Sequence, residues 1–130
     1  NTTAAHYFLT DHLGSTRVVA KVTSTGREDL DRKDYYPFGK AWKQPELPTS
    51  GNRYTFSGKE QQRAGLASTK LLDFGARFYD PDGVTFLQQD PLQEKYYSIG
   101  QYNYCAGNPI RFSDKEGKSI KDAVIGKSFW

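Results

Sequence analysis

Two aspartates, Asp90 and Asp114, each end a strand-like run that carries a phenylalanine: Phe86-Leu-Gln-Gln-Asp90 and Phe112-Ser-Asp114. Carboxylates brought close together cannot both ionise comfortably, so such a pair shares a proton. One member can then accept a proton from water while the other donates to a carbonyl group, which is aspartyl-type hydrolysis. The same residues have a plainer use. Asp90 stands before Pro91 as a helix N-cap, and Asp114 opens the turn Asp114-Lys-Glu-Gly117. Residue type and spacing alone favour the plainer use and leave the catalytic one open.

Other chemistry-bearing residues point to less. His6 and His12 have no cysteine or acid at metal-ligand spacing, so no metal is expected. Asp29, Asp31 and Asp34 resemble a calcium loop in composition, but Arg32 and Lys33 interrupt them. Cys105 has no histidine partner nearby and sits in an aromatic run, which favours a buried structural thiol over a nucleophile. No cofactor is implied.

The elements that must position these residues are short. Tyr7–Thr10 and Thr16–Thr23 read as strands around the turn Asp11–Ser15, with Val18, Ala20 and Val22 as a buried face. Ser24-Thr-Gly26 turns the chain into Arg27–Lys33, an exposed strand or solvated segment, and Asp34–Gly39 closes that hairpin. Lys40–Asn52 is the longest irregular loop. Arg53–Ser57 reads as a strand, and Glu60–Ala67 as a broken helical turn or a loop. Leu71–Phe74 and Ala76–Tyr79 lead into the strong turn Asp80-Pro-Asp-Gly83, answered by Val84–Gln88. Asp90–Tyr96 is the best helix candidate, with Asp90 as N-cap and Pro91 in the first helical position. Tyr102–Cys105 is a further helical turn or strand, Ile110–Ser113 a last strand, and Ser119–Trp130 an amphipathic tail. Tyr35-Tyr-Pro-Phe-Gly39, Tyr54-Thr-Phe-Ser-Gly58 and Phe78-Tyr-Asp-Pro-Asp-Gly83 echo one another, pairing aromatics with a glycine-bearing turn. The expected fold class is mainly β: antiparallel hairpins wound as a strip or curved sheet, with one or two short helices.

Bulk composition narrows the function classes. A chain of 130 residues is one domain, and 15% aromatic content against 36% hydrophobic content points to a Tyr/Phe-rich sheet core. A net charge of +3, with bases scattered among acids, gives nucleic-acid binding little support. One cysteine excludes an internal disulfide. No signal peptide or membrane-length apolar run is visible, and the opening without methionine is expected of a piece of a longer protein.

The ordered motifs Asp11-His-Leu-Gly-Ser-Thr-Arg17, Tyr36-Pro-Phe-Gly39, Tyr54-Thr-Phe-Ser-Gly-Lys-Glu60, Gly75-Ala-Arg-Phe-Tyr-Asp-Pro81, Phe86-Leu-Gln-Gln-Asp-Pro91, Tyr102-Asn-Tyr104, Asn108-Pro109 and Asp114–Gly117 resemble the Rhs repeat-associated core domain. That family occurs in Rhs and YD-repeat proteins of bacteria and in the C subunit of insecticidal toxin complexes. The resemblance runs from about Tyr7 to Gly117. It implies a core domain over residues 1–118 that closes one end of a hollow YD-repeat shell, with residues 119–130 beginning a variable C-terminal region. The implied protein is secreted or at the cell surface, and its partners are the rest of its own shell and a C-terminal toxin or cargo segment. The resemblance also implies self-cleavage just after the last motif, following Gly117 or Lys118, with Asp90 and Asp114 as the catalytic carboxylates and Arg77 close to them.

The chain departs from the family pattern at the site itself. Asp90-Pro-Leu-Gln93 lacks the motif glycine, Asp114-Lys-Glu-Gly117 lacks the motif proline, and Lys118 stands where a leucine precedes the cut. Val84-Thr85 replaces a Gly-Arg, and Phe78 stands where toxin-complex members carry an acid beside the arginine. These changes point to a degenerate autoprotease. A different class of function, a non-catalytic extracellular adhesion or carbohydrate-contact module using exposed tyrosines, is the alternative. A free-standing hydrolase is disfavoured because no independent substrate site is visible. An isolated core domain is expected to expose strand edges and to dimerise or swap strands.

Overall fold

The structure is a computed structural model that describes residues 4–42, 50–62 and 70–128. Its backbone is built from strands mostly two or three residues long, stapled by aspartate-capped turns. Asp11, Asp73, Asp80, Asp90, Asp114 and Asp122 each accept, through Oδ1, the amide of the residue two positions on. A short carboxylate satisfies the turn's own backbone, so the chain can reverse without a long ladder on either side.

The longest strands form a meander. β1 (Ala5–Thr10), β2 (Thr16–Thr23) and β3 (Gly26–Arg32) pair antiparallel in the order β1-β2-β3. The expected buried face of Val18, Ala20 and Val22 is not the one observed. Val19 and Ala20 are buried side by side, and Val22 is exposed. The pairing with β3 is irregular at this point: Val19 faces Asp31 and Ala20 faces Asp29, with Leu30 the extra residue of β3. The two edges of this sheet differ. β3 carries Arg27, Glu28, Asp29, Asp31 and Arg32 along its length, whereas β1 exposes Tyr7, Phe8 and Leu9.

β4 (Asp34–Tyr35) and β5 (Ala41–Trp42) make a small hairpin. The loop expected over Lys40–Asn52 contains β5; its residues 43–49 lie outside the described residues, as do 63–67 of the segment expected over Glu60–Ala67. The strand expected at Arg53–Ser57 is not formed. Tyr54 makes a single bridge to Glu60, and Phe56–Gly58 is a 3-10 turn with Ser57 at φ 54°. The Ser57 amide is held there by the Ser15 hydroxyl at 2.8 Å, a contact that alternation in the sequence does not encode.

A second sheet, β6 (Glu60–Gln61), β7 (Leu72–Asp73), β8 (Phe78–Asp80) and β9 (Thr85–Phe86), is an antiparallel meander in sequence order. The turn between β8 and β9 is the predicted Asp80-Pro-Asp-Gly83. The helix expected over Asp90–Tyr96 shrinks to one 3-10 turn, Gln93–Lys95, and Asp90 caps the turn before it rather than a helix. Tyr96 leaves helical geometry at φ −126°, where its ring is buried. Cys105–Gly107 is another 3-10 turn, and β10 (Phe112–Asp114) pairs antiparallel with β11 (Ile120–Asp122). The tail beyond Ser119 is therefore partly a strand.

The core is aromatic, as composition predicts. Phe56, Leu72, Phe74, Tyr79, Phe86, Tyr104 and Cys105 form one buried cluster. Tyr104 stacks on Tyr79 with ring centroids 4.4 Å apart, and Phe74 meets Tyr79, Phe86 and Tyr104 edge-on at 5.7, 5.5 and 5.7 Å. Such pairs each add about 0.5–1.5 kcal/mol beyond area burial. Tyr79 donates its hydroxyl to the Phe38 carbonyl at 2.6 Å, and burial pushes its titration up. Among the described residues no helix is long and apolar enough to cross a membrane.

Candidate active site

One wall of the aromatic core carries the three residues that the resemblance singled out. Arg77, between β7 and β8, is 3% exposed, and its guanidinium lies over the Phe86 ring at 3.6 Å from the centroid. A buried arginine must satisfy every donor. Nε donates to the Gly117 carbonyl at 2.7 Å and Nη1 to the Gln101 carbonyl at 3.1 Å. Nη2 donates to Asp114 Oδ2 at 3.3 Å and lies 3.7 Å from Asp90 Oδ2. One nitrogen therefore holds both carboxylates.

The two acids differ in setting. Asp114 is 1% exposed, and its Oδ1 accepts the amides of Lys118 at 2.9 Å, Ser119 at 3.2 Å and Glu116 at 3.3 Å. Burial raises its titration above the ordinary carboxylate range, while these amides and Arg77 pull it back. Asp90 is more open, with a side chain 13% exposed. Its Oδ1 accepts the Leu92 amide at 2.8 Å, and its own amide donates at 3.0 Å to the Gln101 carbonyl that Arg77 also uses. Burial lowers the titration of Arg77 and the two acids raise it; the guanidinium stays charged.

The segment these residues grip is Lys115–Lys118. Its three successive carbonyls each have a donor: Lys59 Nζ for Lys115, the Ala76 amide for Glu116, and Arg77 Nε for Gly117. Gly117 has φ 68°, and a Cβ there would lie 3.1 Å from the Arg77 nitrogen and 3.2 Å from Phe74 Cβ. A side chain there would strain the backbone and crowd the Arg77 backbone nitrogen and Phe74. The peptide bond from Gly117 to Lys118 is thus held at both ends, its oxygen by Arg77 and its N–H by Asp114. Lys118 is exposed and borders an open cleft of about 810 Å³, lined also by Tyr54, Lys59, Asp73, Phe74 and Glu116. This arrangement supplies a polarised carbonyl and a pair of carboxylates on one guanidinium.

Asp90, Asp114 and Arg77 come together through chain segments far apart in sequence. Gly117, Lys118, Lys59 and Phe86 complete the arrangement; the sequence placed Gly117 and Lys118 beside the cut, and Lys59 and Phe86 only within motifs. Gly117 and Lys118 act through backbone atoms and Phe86 through its ring face, contacts that residue type does not announce. The remaining candidates lie elsewhere. His12 Nε2 meets the Ile110 carbonyl at 2.7 Å, Asp29 pairs with Arg27 at 2.7 Å, and Asp34 pairs with Arg17. Cys105 is buried against the core, its thiol pushed up to about 12 chiefly by burial. Phe78, where the resemblance expects an acid beside the arginine, is exposed on β8.

No family model matches the chain. It is 33% identical over 121 residues to salivary gland surface protein 1 of Aedes aegypti, a match covering 90% of this chain and 3% of that protein. It superposes on a chain of the TcdB2-TccC3-Cdc42 crystal structure with a TM-score of 0.64 and 25% identity, over 88% of this chain and 5% of that one. A crystal structure of TcdB2-TccC3 without its hypervariable C-terminal region matches with a TM-score of 0.64 and 24% identity, again over 88% and 5%. The fold is related to that of toxin-complex chains. In every case this chain spans only a small part of the protein it matches.

Proposed function

We propose that the chain is the closing core domain of a toxin-complex-type shell protein, and that Asp90, Asp114 and Arg77 hydrolyse the bond between Gly117 and Lys118. The observation that carries the reading is the double hold on that one peptide: Arg77 Nε on its oxygen at 2.7 Å and Asp114 Oδ1 on its N–H at 2.9 Å. The fold likeness to toxin-complex chains, one of them described as lacking a hypervariable C-terminal region, supports the shell role and a cargo beginning past the clamp. Its partners are then the remainder of its own shell and that cargo, in a secreted protein.

In this reading each residue has one task. Arg77 polarises the Gly117 carbonyl and stabilises the oxyanion, a donor fixed before the reaction begins. Asp90, the more exposed acid, takes a proton from a water as the oxygen bonds to the Gly117 carbon. Asp114 accepts the Lys118 N–H and steadies the departing nitrogen, which takes the proton that Asp90 received from water. The substitutions around Asp90 and Asp114 leave the gripping contacts in place, because these use backbone atoms and Arg77.

Intact mass over time tests this on the native full-length protein and its Asp90→Asn and Asp114→Asn variants, with near-ultraviolet dichroism to show that each is folded. Loss of a C-terminal piece beginning at Lys118 in wild type, absent in both folded variants, is the expected result. A wild type that stays intact removes the enzymatic part and leaves the closing domain.

A second reading rests on the salivary gland surface protein, whose likeness favours a surface contact module. Tyr54, Tyr97 and Tyr102 are 56%, 87% and 44% exposed and available for stacking on sugars. A glycan array with no binding above background removes it.

A further inference from the structure

The turn that follows Asp114 is held by a second cation besides Arg77. Lys59 Nζ donates to the Lys115 carbonyl and lies 5.4 Å from the centroid of the Phe74 ring. The N–H of that same peptide belongs to Glu116, and it donates to Asp114 Oδ1 at 3.3 Å. A cation on the oxygen of a peptide polarises its N–H, so the bond from Glu116 to Asp114 is strengthened from the far side. Lys59 therefore reaches Asp114 through the Lys115–Glu116 peptide, and no proton moves.

The ammonium can serve in this way because the backbone beneath it is fixed. The Lys59 amide donates to the Phe56 carbonyl at 3.0 Å, and the Lys59 carbonyl accepts the Thr55 amide at 2.9 Å. Ser57, at φ 54° in the preceding turn, is secured by the Ser15 hydroxyl. Burial lowers the titration of Lys59; Asp114, Asp73 and Glu116 raise it, and Lys115 opposes them. Glu60, the next residue along, faces Arg53 at 3.8 Å.

We infer that Lys59 is a positioning residue for the proposed cleavage: through the Lys115–Glu116 peptide it keeps Asp114 Oδ1 aimed at the amides of Lys118 and Ser119. The inference rests on that cleavage for its catalytic consequence, but not on which bond is cut. The bond after Gly117 and the bond after Lys118 both present their N–H to this oxygen, at 2.9 and 3.2 Å. The charge of Lys59 also favours the ionised form of Asp114, which accepts these amides best, against the burial that raises its titration.

The test follows cleavage by intact mass against pH in native full-length protein and its Lys59→Met and Lys59→Arg variants, with near-ultraviolet dichroism to show folding. Lys59→Met keeps an apolar stem for Phe74 and removes both donor and charge; Lys59→Gln takes its place should the methionine variant not fold. The expected result is cleavage slowed by about tenfold or more, an acid limb moved to higher pH, and recovery of both in Lys59→Arg. Wild-type rate and limb in the folded neutral variant overturn the inference. So does a slower rate with an unmoved limb, which a purely structural lysine would give. A wild type that never cuts refutes the cleavage proposal instead. The aim of Asp114 is then read from amide exchange over Lys115–Ser119. Exchange about tenfold faster in the neutral variant and restored by arginine upholds it, and unchanged exchange overturns it.

Discussion

Arg77 Nε donates to the carbonyl of Gly117 at 2.7 Å, a bond that spans 40 residues of chain and fastens the Asp114–Gly117 turn to the aromatic core. It is one of four contacts from a single guanidinium, so Arg77 is both the electrostatic centre of the site and the fastening of the last hairpin.

Replacing Arg77 tests that double role. Arg77→Met leaves Asp114 and Asp90 without their shared cation, and loss of one partner of a buried pair costs about 3–5 kcal/mol. Arg77→Lys is expected to rescue little, because one ammonium cannot reach four acceptors set in different directions. Urea denaturation checks both. A lysine variant within about 1 kcal/mol of wild type would show that charge alone suffices.

Gly117→Ala places a methyl against the Arg77 nitrogen and Phe74 at a residue with φ 68°. The left-handed conformation alone costs about 1–2 kcal/mol for a residue with a Cβ, and the contacts add to it. A lower thermal midpoint is expected, together with faster amide exchange at Ile120–Asp122. Gly100→Ala is the control, since a Cβ there meets nothing within 4 Å.

Asp114 gives stability a particular pH slope. Burial raises its folded-state titration, so the native chain keeps this proton to higher pH than the unfolded chain does. Stability from this residue is therefore greatest at low pH and falls as pH climbs from the ordinary carboxylate range through the raised value. Asp122 acts oppositely: amides of Ile125 and Val124 lower its titration, so its contribution is present above the ordinary range and lost as pH falls through the lowered value. Urea titrations across the acid range should show the advantage of wild type over Asp114→Asn shrinking as pH rises. The advantage over Asp122→Asn should grow. Slopes of the reverse sign would contradict both assignments.

Cys105 should be silent towards thiol reagents. Its thiol is buried and titrates at about 12, so almost no thiolate exists near neutral pH. Labelling with iodoacetamide is expected only after denaturant is added, and its rate then reports opening of the core. Rapid labelling of the native protein would place the thiol at the surface.

Tyr79→Phe removes one hydroxyl that donates to the Phe38 carbonyl at 2.6 Å and leaves the ring stack with Tyr104 intact. A loss of about 0.5–1.5 kcal/mol in urea is expected, with further cost from the unpaired carbonyl.

The hairpins around Thr16–Thr23 and Asp80–Gly83 were readable because β-branched runs bounded by strong turn residues have few other ways to fold. Phe56 was not, because Tyr54-Thr-Phe56 alternates like a strand while Ser15, distant in sequence, holds it as a turn. The helix expected after Asp90 failed for a related reason: its carboxylate is used within two residues, and Tyr96 leaves helical geometry to bury its ring. At the site, the acids and Arg77 were visible through their motifs. The Gly117 carbonyl, the Lys118 amide and the face of Phe86 were not, since backbone atoms and ring faces come with every residue of their kind.

The unequal edges of the β1-β2-β3 meander have a directional consequence. Any further strand approaching β3 meets a palisade of fixed charges, whereas one approaching β1 meets Tyr7, Phe8 and Leu9 with few charges to strip of water. By composition the β1 edge suits a further strand better than the β3 edge does. Placing a lysine in β1 should close the open side without touching the core or the clamp.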